Sequence, residues 1–508
     1  MKHRNLTHYM TGAFLLTLLV LSSSACAQTQ AISEKVTDNV TASGTMAEAT
    51  AAVQETEKSL IPPEIEAVDY GGDTLTIMTR AVSNNYCYPY EEFLSEGENG
   101  DPINDAVWKR NTVIEDKYNL KLEVLSSSAL KTMVSKTVIA GDNAYDLVFP
   151  MHYEACMMSR DGHLYDASSL PHIDLSKAWW RTSMMEGISI DGRNYFLTGD
   201  LNLSSLNGVG VVFFNKSLAD TLDCGNLYDI VESGDWTFDT LQTLCHGVTR
   251  DLDGDQNLTR NDMFGLTTNA FAWQPFFAGM GKTLIEKDSN DHPILRWDDQ
   301  ENISALERVL DFVDDESAVL LTNRHKEIPQ AEWGTASIEI FTADRALFWI
   351  EIIYGSLTLR DMDTDFGILP MPKQDAAQKN YASYMHVGHT ATTAIPITND
   401  DPDRMGRIIE DMAYQSSLTV RPAYYEFTLK GKISRDEASV RMLDLIYSNI
   451  NLDLAILMSN VLPIDKNMRA FLAEGSRDFM SVIASEKNNC LTEINDYVKA
   501  LADVAANS

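Results

Sequence analysis

Helical and extended hydrophobic patterns alternate along the chain from residue 70 onward. A short apolar run fills residues 75–79, helical apolar spacing covers residues 104–118, and residues 120–125 alternate between apolar and polar positions. A second helix is predicted at residues 130–139 and a short buried strand at residues 146–150. This β-α-β-α-β order predicts parallel strands with helices on both faces of a sheet.

The same alternation continues through the rest of the chain. The pattern predicts four further strands and two further helices, which are the strands at residues 209–214, 345–350, 366–369 and 392–397 and the helices at residues 216–222 and 236–248. Two α/β lobes are the simplest architecture that accounts for this order.

The first 27 residues have the pattern of an export signal. Lys2 and Arg4 provide a basic start, and residues 13–21 (AFLLTLLVL) form an apolar run followed by small residues. This run is too short to cross a bilayer of roughly 30 Å as a helix. Residues 1–27 are therefore interpreted as a signal peptide.

The end of the signal peptide is compatible with two kinds of processing. Residues 23–26 (SSAC) resemble a lipobox, in which Cys26 would be lipidated, although Ser23 stands where Leu is usual. Residues 25–27 (ACA) also fit the A-x-A cleavage site of ordinary signal peptidase. The first alternative, which we favour, places the protein on the outer face of the cell membrane as a lipoprotein, and the second makes it a secreted protein.

A low-complexity segment follows. Residues 28–68 are rich in Ala, Thr, Ser and Glu, and their first part contains no aromatic residue, so the segment buries too little apolar surface to order itself. Such a composition is typical of a disordered tether. It supports the lipoprotein alternative, because a membrane anchor needs a linker to the folded domain.

The charge of the chain restricts its partners. The sequence has 74 acidic and 40 basic side chains and a formal net charge of −34. Removal of residues 1–26 removes Lys2 and Arg4 and no acidic residue, which makes the charge −36. Nucleic-acid binding depends on Lys and Arg, so a nucleic-acid partner is not expected, and contact with a membrane is expected only through a lipid anchor.

An acidic segment after the predicted helix at 236–248 has the spacing of a calcium-binding loop. Oxygen-bearing side chains occupy positions 1, 3, 5, 7 and 12 of a twelve-residue segment, namely Asp251, Asp253, Asp255, Asn257 and Asp262. Gln256 replaces the usual Gly at position 6, and Asp262 is shorter than the usual Glu. A structural Ca²⁺ site is the prediction, and an acidic surface turn is the alternative.

Several segments, in their order along the chain, resemble extracellular solute-binding proteins of family 1. They are residues 97–119 (GENGDPINDAVWKRNTVIEDKYN), 234–241 (GDWTFDTL), the acidic loop before 264–266 (FGL), 365–372 (DFGILPMP) and 423–432 (AYYEFTLKGK). The family consists of substrate-binding lipoproteins of ABC importers in Gram-positive, Clostridia-like bacteria. The resemblance extends from about residue 70 to the C-terminus.

The resemblance implies an α/β, two-lobe periplasmic-binding-protein-like fold of type II, with the ligand in a cleft between the lobes. We expect residues 69–200 and 374–415 in lobe 1 and residues 201–373 and 416–508 in lobe 2. The implied function is to bind a small molecule, most often a sugar or oligosaccharide, as a monomer, and to deliver it to the permease subunits of the importer. The protein would not be an enzyme.

Candidate ligand-binding residues follow from the rule that ligands bind beyond the carboxyl ends of strands in open α/β sheets. Trp273 is added because residues 271–279 (FAWQPFFAG) resemble the segment that offers a Trp face to a sugar ring in maltodextrin-type binding proteins, and Trp349 is added as a second aromatic. The complete set is Arg80, Tyr153, Asp200, Trp273, Trp349, Glu351, Tyr384 and His386. Core packing, turn formation and solvent exposure are the alternative explanations for these residues.

Two other functions remain open at this stage. A secreted glycosidase would need a pair of carboxylates flanking the scissile bond, and a chain with 74 acidic residues could supply one. A surface protein that senses sugars or mediates adhesion could use the same fold without a transporter.

Overall fold

The computed structural model describes residues 61–82, 91–429 and 437–507. The predicted signal peptide, the predicted lipidation site Cys26 and most of the predicted tether lie outside these residues. Within the described part of the chain, no helix combines the length and the apolar character needed to cross a bilayer.

Twelve strands are present in the described residues. They are β1 (Asp73–Thr79), β2 (Leu120–Ser126), β3 (Leu147–Val148), β4 (Gly210–Asn215), β5 (Phe264–Thr268), β6 (Ile285–Lys287), β7 (Pro293–Leu295), β8 (Val319–Leu321), β9 (Ala346–Ile352), β10 (Phe366–Leu369), β11 (Ser383–Tyr384) and β12 (Ile450–Asn451).

The α-helices of the described residues include several single turns and one long C-terminal helix. They are α1 (Pro102–Tyr118), α2 (Leu130–Ile139), α3 (His152–Arg160), α4 (Thr182–Ile188), α5 (Ser204–Asn207), α6 (Lys216–Thr221), α7 (Leu227–Glu232), α8 (Phe238–Cys245), α9 (Trp273–Gly279), α10 (Gln300–Val313), α11 (Trp333–Thr342), α12 (Gly355–Thr358), α13 (Pro402–Leu418), α14 (Val420–Leu429), α15 (Glu437–Ser448), α16 (Leu454–Leu457), α17 (Ile464–Glu474) and α18 (Phe479–Asn507).

Helix α1 shows how local sequence sets the boundaries of an element. The side chain of Asp101 accepts hydrogen bonds from the backbone N–H groups of Ile103 and Asn104, and Pro102 occupies the first turn. Asn119 ends the helix in a left-handed conformation with φ of 44°. Val107 and Ile114 are fully buried against the first sheet, as the helical spacing predicts.

The first sheet has the order β2-β1-β3, and all of its strands are parallel. Their carboxyl ends therefore meet at one edge, where Arg80 and Tyr153 follow β1 and β3. The predicted strand at 392–397 forms only isolated bridges, in which Ala394 pairs with Val148 and Pro396 pairs with Leu164. The other strands and helices predicted from the sequence are confirmed, with ends shifted by a few residues.

The second sheet has the order β10-β4-β9-β5-β8. Strand β5 is parallel to β8 and β9, whereas β4 is antiparallel to β9 and β10. The carboxyl ends of β5, β8 and β9 thus lie at the same edge. Two segments run between the sheets side by side, because Leu197 pairs with Thr393 and Val209 pairs with Met385.

The predicted boundaries of the two lobes stay a prediction. Helix α14, which those boundaries place in lobe 2, packs against α1 next to the first sheet. Helix α15 packs against β10 of the second sheet, and α18 contacts both α3 and β7. The C-terminal helices thus contact elements near both sheets.

Candidate ligand-binding site

Side chains converge at the carboxyl edge of the second sheet. Asn269 follows β5 and accepts a hydrogen bond from the N–H of Phe271, while Asn323, which follows β8, accepts one from the N–H of Ala270. These two bonds turn the chain sharply after the strand and leave Phe271 43% exposed. The residues lining the cavity at this edge include Thr268, Asn269, Phe271, Pro275, Glu351 and Tyr384.

Phe271 is held between a cation and an imidazole. The guanidinium carbon of Arg469 lies 4.6 Å from the centroid of the Phe271 ring. The ring of His386 lies 6.2 Å from it, centroid to centroid, on a tilted plane. Arg469 is itself fixed by Asp465, whose Oδ2 lies 2.6 Å from Nη2. The exposed aromatic surface at this edge therefore has a defined orientation.

Asp465 also holds the segment behind Phe271. Its Oδ1 accepts hydrogen bonds from Nε1 of Trp273 at 3.1 Å and from Nε2 of Gln274 at 2.8 Å. Trp273 is only 1% exposed and packs edge-on against Phe277. Trp273 lines a neighbouring cavity together with Phe277 and Tyr384, and Phe271 is the aromatic ring of this segment that faces solvent.

Glu351 supplies a carboxylate to the cavity. It sits at the end of β9, and its Oε1 accepts a hydrogen bond from the N–H of Ile352 at 2.9 Å. Burial raises the pKa of Glu351 to about 7, against an opposing effect of that hydrogen bond. Within residues 61–82, 91–429 and 437–507, no basic side chain contributes to this shift of the Glu351 pKa.

The segment after β11 forms another wall. The Tyr384 ring lies so close to Gly210 that a Cβ there would come within 2.2 Å of it. The rings of His386 and His389 are stacked with centroids 4.0 Å apart. Burial lowers the pKa of His386 to about 4 and that of His389 to about 3. Both imidazoles are therefore neutral near pH 7.

One predicted residue that follows the first sheet, Tyr153, reaches the same region. The position of a Cβ on Gly388 would be 4.0 Å from Cε1 of Tyr153 and 3.3 Å from Cε1 of His386. Tyr153 thus approaches the segment that contains His386. Nη1 of Arg80 lies 2.8 Å from Oε2 of Glu154, the residue after Tyr153. The predicted residues Tyr153, Glu351, Tyr384 and His386 accordingly lie along one connected surface.

Asp200 and Trp349 lie in the interior. Both carboxylate oxygens of Asp200 are engaged, by Arg181 at 2.7 Å and by Arg421 at 3.3 Å. Trp349 is 1% exposed, stacks on Phe213, and donates its indole N–H to Ser337. The packing explanation fits these two residues better than direct ligand contact, because no face of either side chain is open.

The predicted calcium loop brings three of its five residues together. Oxygens of Asp251, Asp253 and Asp255 lie within 4.8 Å of one another on the surface. Asp262 is buried and accepts hydrogen bonds from the backbone N–H groups inside the loop, at Leu252 and Thr259.

The turn of this loop also has the expected backbone. Gln256 adopts φ of +67°, which is the conformation that Gly usually supplies at position 6. Asn257 donates its side-chain amide to the backbone oxygen of Asp255. Calcium binding stays a prediction.

Solved structures with a similar fold were found. The cyclo/maltodextrin-binding protein complexed with maltotetraose superposes with a TM-score of 0.53 at 14% identity, covering 86% of this chain and 98% of that one. UspC of M. tuberculosis gives 0.53 at 12% identity, covering 84% and 100%. The substrate-binding protein Lmo0181 of Listeria monocytogenes, in complex with cycloalternan, gives 0.50 at 12% identity, covering 83% and 99%.

The chain has the two-lobe fold of these binding proteins. This confirms the predicted fold class, α/β with helices flanking the sheet of each lobe. No protein-family model and no curated protein matches the sequence. At these identities the likeness establishes the fold alone.

Three residues of this site were missed in the sequence analysis. Phe271 stands only two positions before Trp273 in the same aromatic segment, and the polarity of Asn269 just before it was a usable signal for a turn that exposes the ring. Asp465 and Arg469 lie on α17, far along the chain. Their spacing of four residues predicts a helical ion pair, and nothing in the sequence links that pair to Phe271.

Proposed function

We propose that the protein is the extracellular substrate-binding component of an ABC importer and that its ligand is a carbohydrate. The observation that carries the proposal is the exposed ring of Phe271 beside Glu351 and Tyr384, at the carboxyl edge of the second sheet. Sugars offer apolar C–H faces and a rim of hydroxyl groups. An aromatic ring with hydrogen-bonding groups around it complements both features.

The fold supports the same proposal. Two of the similar structures are named as complexes with maltotetraose and with cycloalternan. In the proposed mechanism, the two lobes close on the ligand and the closed form docks on the permease. A ligand favours closure only as far as it binds the closed form more tightly than the open form.

Glycoside hydrolysis is less well supported by the site. A glycosidase needs two carboxylates placed about 5 to 10 Å apart around the scissile bond. Glu351 is the only carboxylate among the described residues that line this cavity. Asp465 lies nearby, but its oxygens are engaged by Trp273, Gln274 and Arg469. We therefore favour a protein that binds the sugar and does not hydrolyse it.

The experiment is titration calorimetry of the purified domain with mono- and oligosaccharides, together with thermal melting. A ligand at a hundredfold excess over Kd should raise the stability by about 2.7 kcal/mol. Phe271→Ala should remove most of the binding, whereas Met480→Ala, at a side chain that is 52% exposed on α18, should not. Saturable binding of amino acids, with none of any sugar, would overturn the carbohydrate assignment.

We also propose that Cys26 anchors the protein to the outer face of the membrane. The residue lies outside the described part of the chain, so the support is the sequence pattern alone. Cys26→Ala should release the protein into the medium. Release of the wild type with Gln28 at its N-terminus would instead establish ordinary cleavage and a secreted protein.

A further inference from the structure

We infer that the ligand carries a protonated amine, as in an amino sugar, and that this amine pairs with the carboxylate of Glu351. The inference rests on the proposed function and specifies the class of carbohydrate. It starts from an imbalance of charge in the cavity, where one carboxylate has no basic partner among the described residues.

The basic groups around the cavity are already committed or neutral. Arg469 pairs with Asp465, and Arg80 pairs with Glu154. The stacked rings of His386 and His389 are neutral at the pH of the cell surface. Tyr384, the remaining titratable side chain that faces Glu351, has its pKa raised well above its ordinary value by burial and by the Glu351 carboxylate. When Glu351 is ionised, no basic side chain of the described residues compensates its charge, and burial accordingly raises its pKa to about 7.

A ligand that covers Glu351 removes its remaining contact with water. A neutral sugar would bury Glu351 further and favour its protonated form, so that binding above pH 7 would require the uptake of a proton. A ligand ammonium would supply the opposite charge and up to three N–H donors at the same place. The cationic group thus offsets a cost that a neutral ligand leaves in place.

The aromatic lining favours the same class of ligand. Phe271 and Tyr384 line the cavity together with Glu351. Their ring faces are electron-rich and attract an ammonium group, although Arg469 already occupies one side of Phe271. A net charge of −36 after removal of the signal peptide also raises the local concentration of cationic solutes near the surface.

The test compares sugars that differ only in the amine. D-glucosamine, N-acetyl-D-glucosamine and D-glucose are titrated into the full domain at pH 7.5, and then their β-1,4-linked tetramers. We expect the amine-bearing member of each series to bind at least about tenfold more tightly than its acetylated and hydroxyl counterparts.

Two variants assign the effect to Glu351. Glu351→Gln keeps the shape of the side chain without its charge, and this variant should bind the three sugars of a series with about equal affinity. Glu351→Asp keeps the charge and should still bind the amine-bearing sugar more tightly than the other two. Thermal melting of both variants establishes that they are folded. In the wild type, affinity for the amine should rise from pH 5 toward pH 7, because Glu351 loses its proton, and should fall again at higher pH, because the ammonium of the ligand loses its own proton.

Each outcome bears on the inference. Equal or tighter binding of D-glucose or of its tetramer would overturn the cationic ligand and leave the proposed sugar-binding function standing. An amine preference that survives in Glu351→Gln would also overturn it, because the preference would then arise elsewhere. If no member of either series binds while another neutral sugar does, the cationic ligand is overturned and the sugar-binding function stands; if no sugar of any kind binds, the proposed function fails along with the inference.

Discussion

The guanidinium of Arg469 lies over the ring of Phe271, with 4.6 Å between the guanidinium carbon and the ring centroid. The two residues are far apart in sequence, on α17 and in the turn after β5. Asp465 links α17 to the segment that follows Phe271, because it pairs with Arg469 and accepts the indole N–H of Trp273. One face of the exposed ring is thus fixed by the protein, and the rest of the ring is left for a ligand.

Arg469→Ala should weaken sugar binding by about three- to tenfold. The variant loses the cation over Phe271 and leaves the ring free to rotate, which adds an ordering cost to binding. Calorimetry with the best-binding sugar measures the change. Arg477→Ala, which removes an arginine paired with Asp311 at the surface, is the control and should leave affinity unchanged. Equal losses in the two variants would contradict the role of Arg469.

Asp465→Ala should destabilise the fold by about 1–3 kcal/mol, because the buried N–H groups of Trp273 and Gln274 lose their acceptor. Urea unfolding measures this effect. Trp273→Phe removes one of the two donors. If the Trp273 indole stabilises the fold through its hydrogen bond to Asp465, the double variant should lose less stability than the two single variants lose in sum. If the two losses of stability are additive, Trp273 and Asp465 are not coupled through the indole hydrogen bond.

Gly210→Ala should destabilise the protein by about 1–3 kcal/mol, because a Cβ would meet the Tyr384 ring at 2.2 Å. The ring would have to move, so sugar affinity should fall as well. Gly334→Ala is the matched control, since nothing lies within 4 Å of a Cβ there. Its position in α11 predicts unchanged or slightly higher stability. A neutral Gly210→Ala would mean that Tyr384 is not held in place.

Much of the fold is predictable from the sequence because its elements have clear periods. The helix at 130–139 and the strand at 366–369 are found with the predicted ends. The segment at 392–397 forms only single bridges, because its pairing with Val148 and Leu197 depends on how the chain returns between the sheets. The periodicity of hydrophobic residues does not indicate the path by which the chain returns between the sheets.

The site was predictable only in part. The ends of the predicted strands indicated Glu351 and the segment with Tyr384 and His386, because the carboxyl edge of a parallel sheet is a general ligand position. The choice between Trp273 and Phe271 could not be made, since which of two nearby aromatics is exposed depends on Asp465. That residue lies on a helix whose packing the sequence pattern does not specify.

The pH dependence of stability should change in Glu351→Gln. The native-state pKa of Glu351 is raised to about 7 by burial, so the folded protein holds this proton more tightly than the unfolded chain. Stability from this group therefore falls as pH rises from about 4.5 through 7. Glu351→Gln should remove up to about 3 kcal/mol of that decline between pH 5 and pH 8.

The variant Asp363→Asn, at an exposed carboxylate, serves as the control for this pH dependence. Urea unfolding at several pH values checks both variants. Identical pH profiles for wild type and Glu351→Gln would mean that Glu351 titrates normally.

Removal of calcium should lower the melting temperature. The carboxylates of Asp251, Asp253 and Asp255 lie within 4.8 Å of one another. A backbone hydrogen bond from Asp255 lowers the pKa of Asp253, but burial and the neighbouring carboxylates outweigh it, so the pKa is raised. A divalent cation would relieve this repulsion and stabilise the native state by linkage. We expect weak affinity, near the millimolar range of extracellular calcium modules.

The measurement is thermal melting with chelator and with 1–10 mM Ca²⁺, roughly the range of such modules. The double variant Asp253→Asn, Asp255→Asn should be insensitive to chelator, whereas Asp361→Asn, Asp363→Asn removes the same charge at two exposed sites and should keep the response. Sugar affinity should change little, because the loop precedes β5 and contributes no residue to the lining of the cavity that contains Phe271. A melting temperature that chelator leaves unchanged in the wild type would identify the loop as an acidic turn.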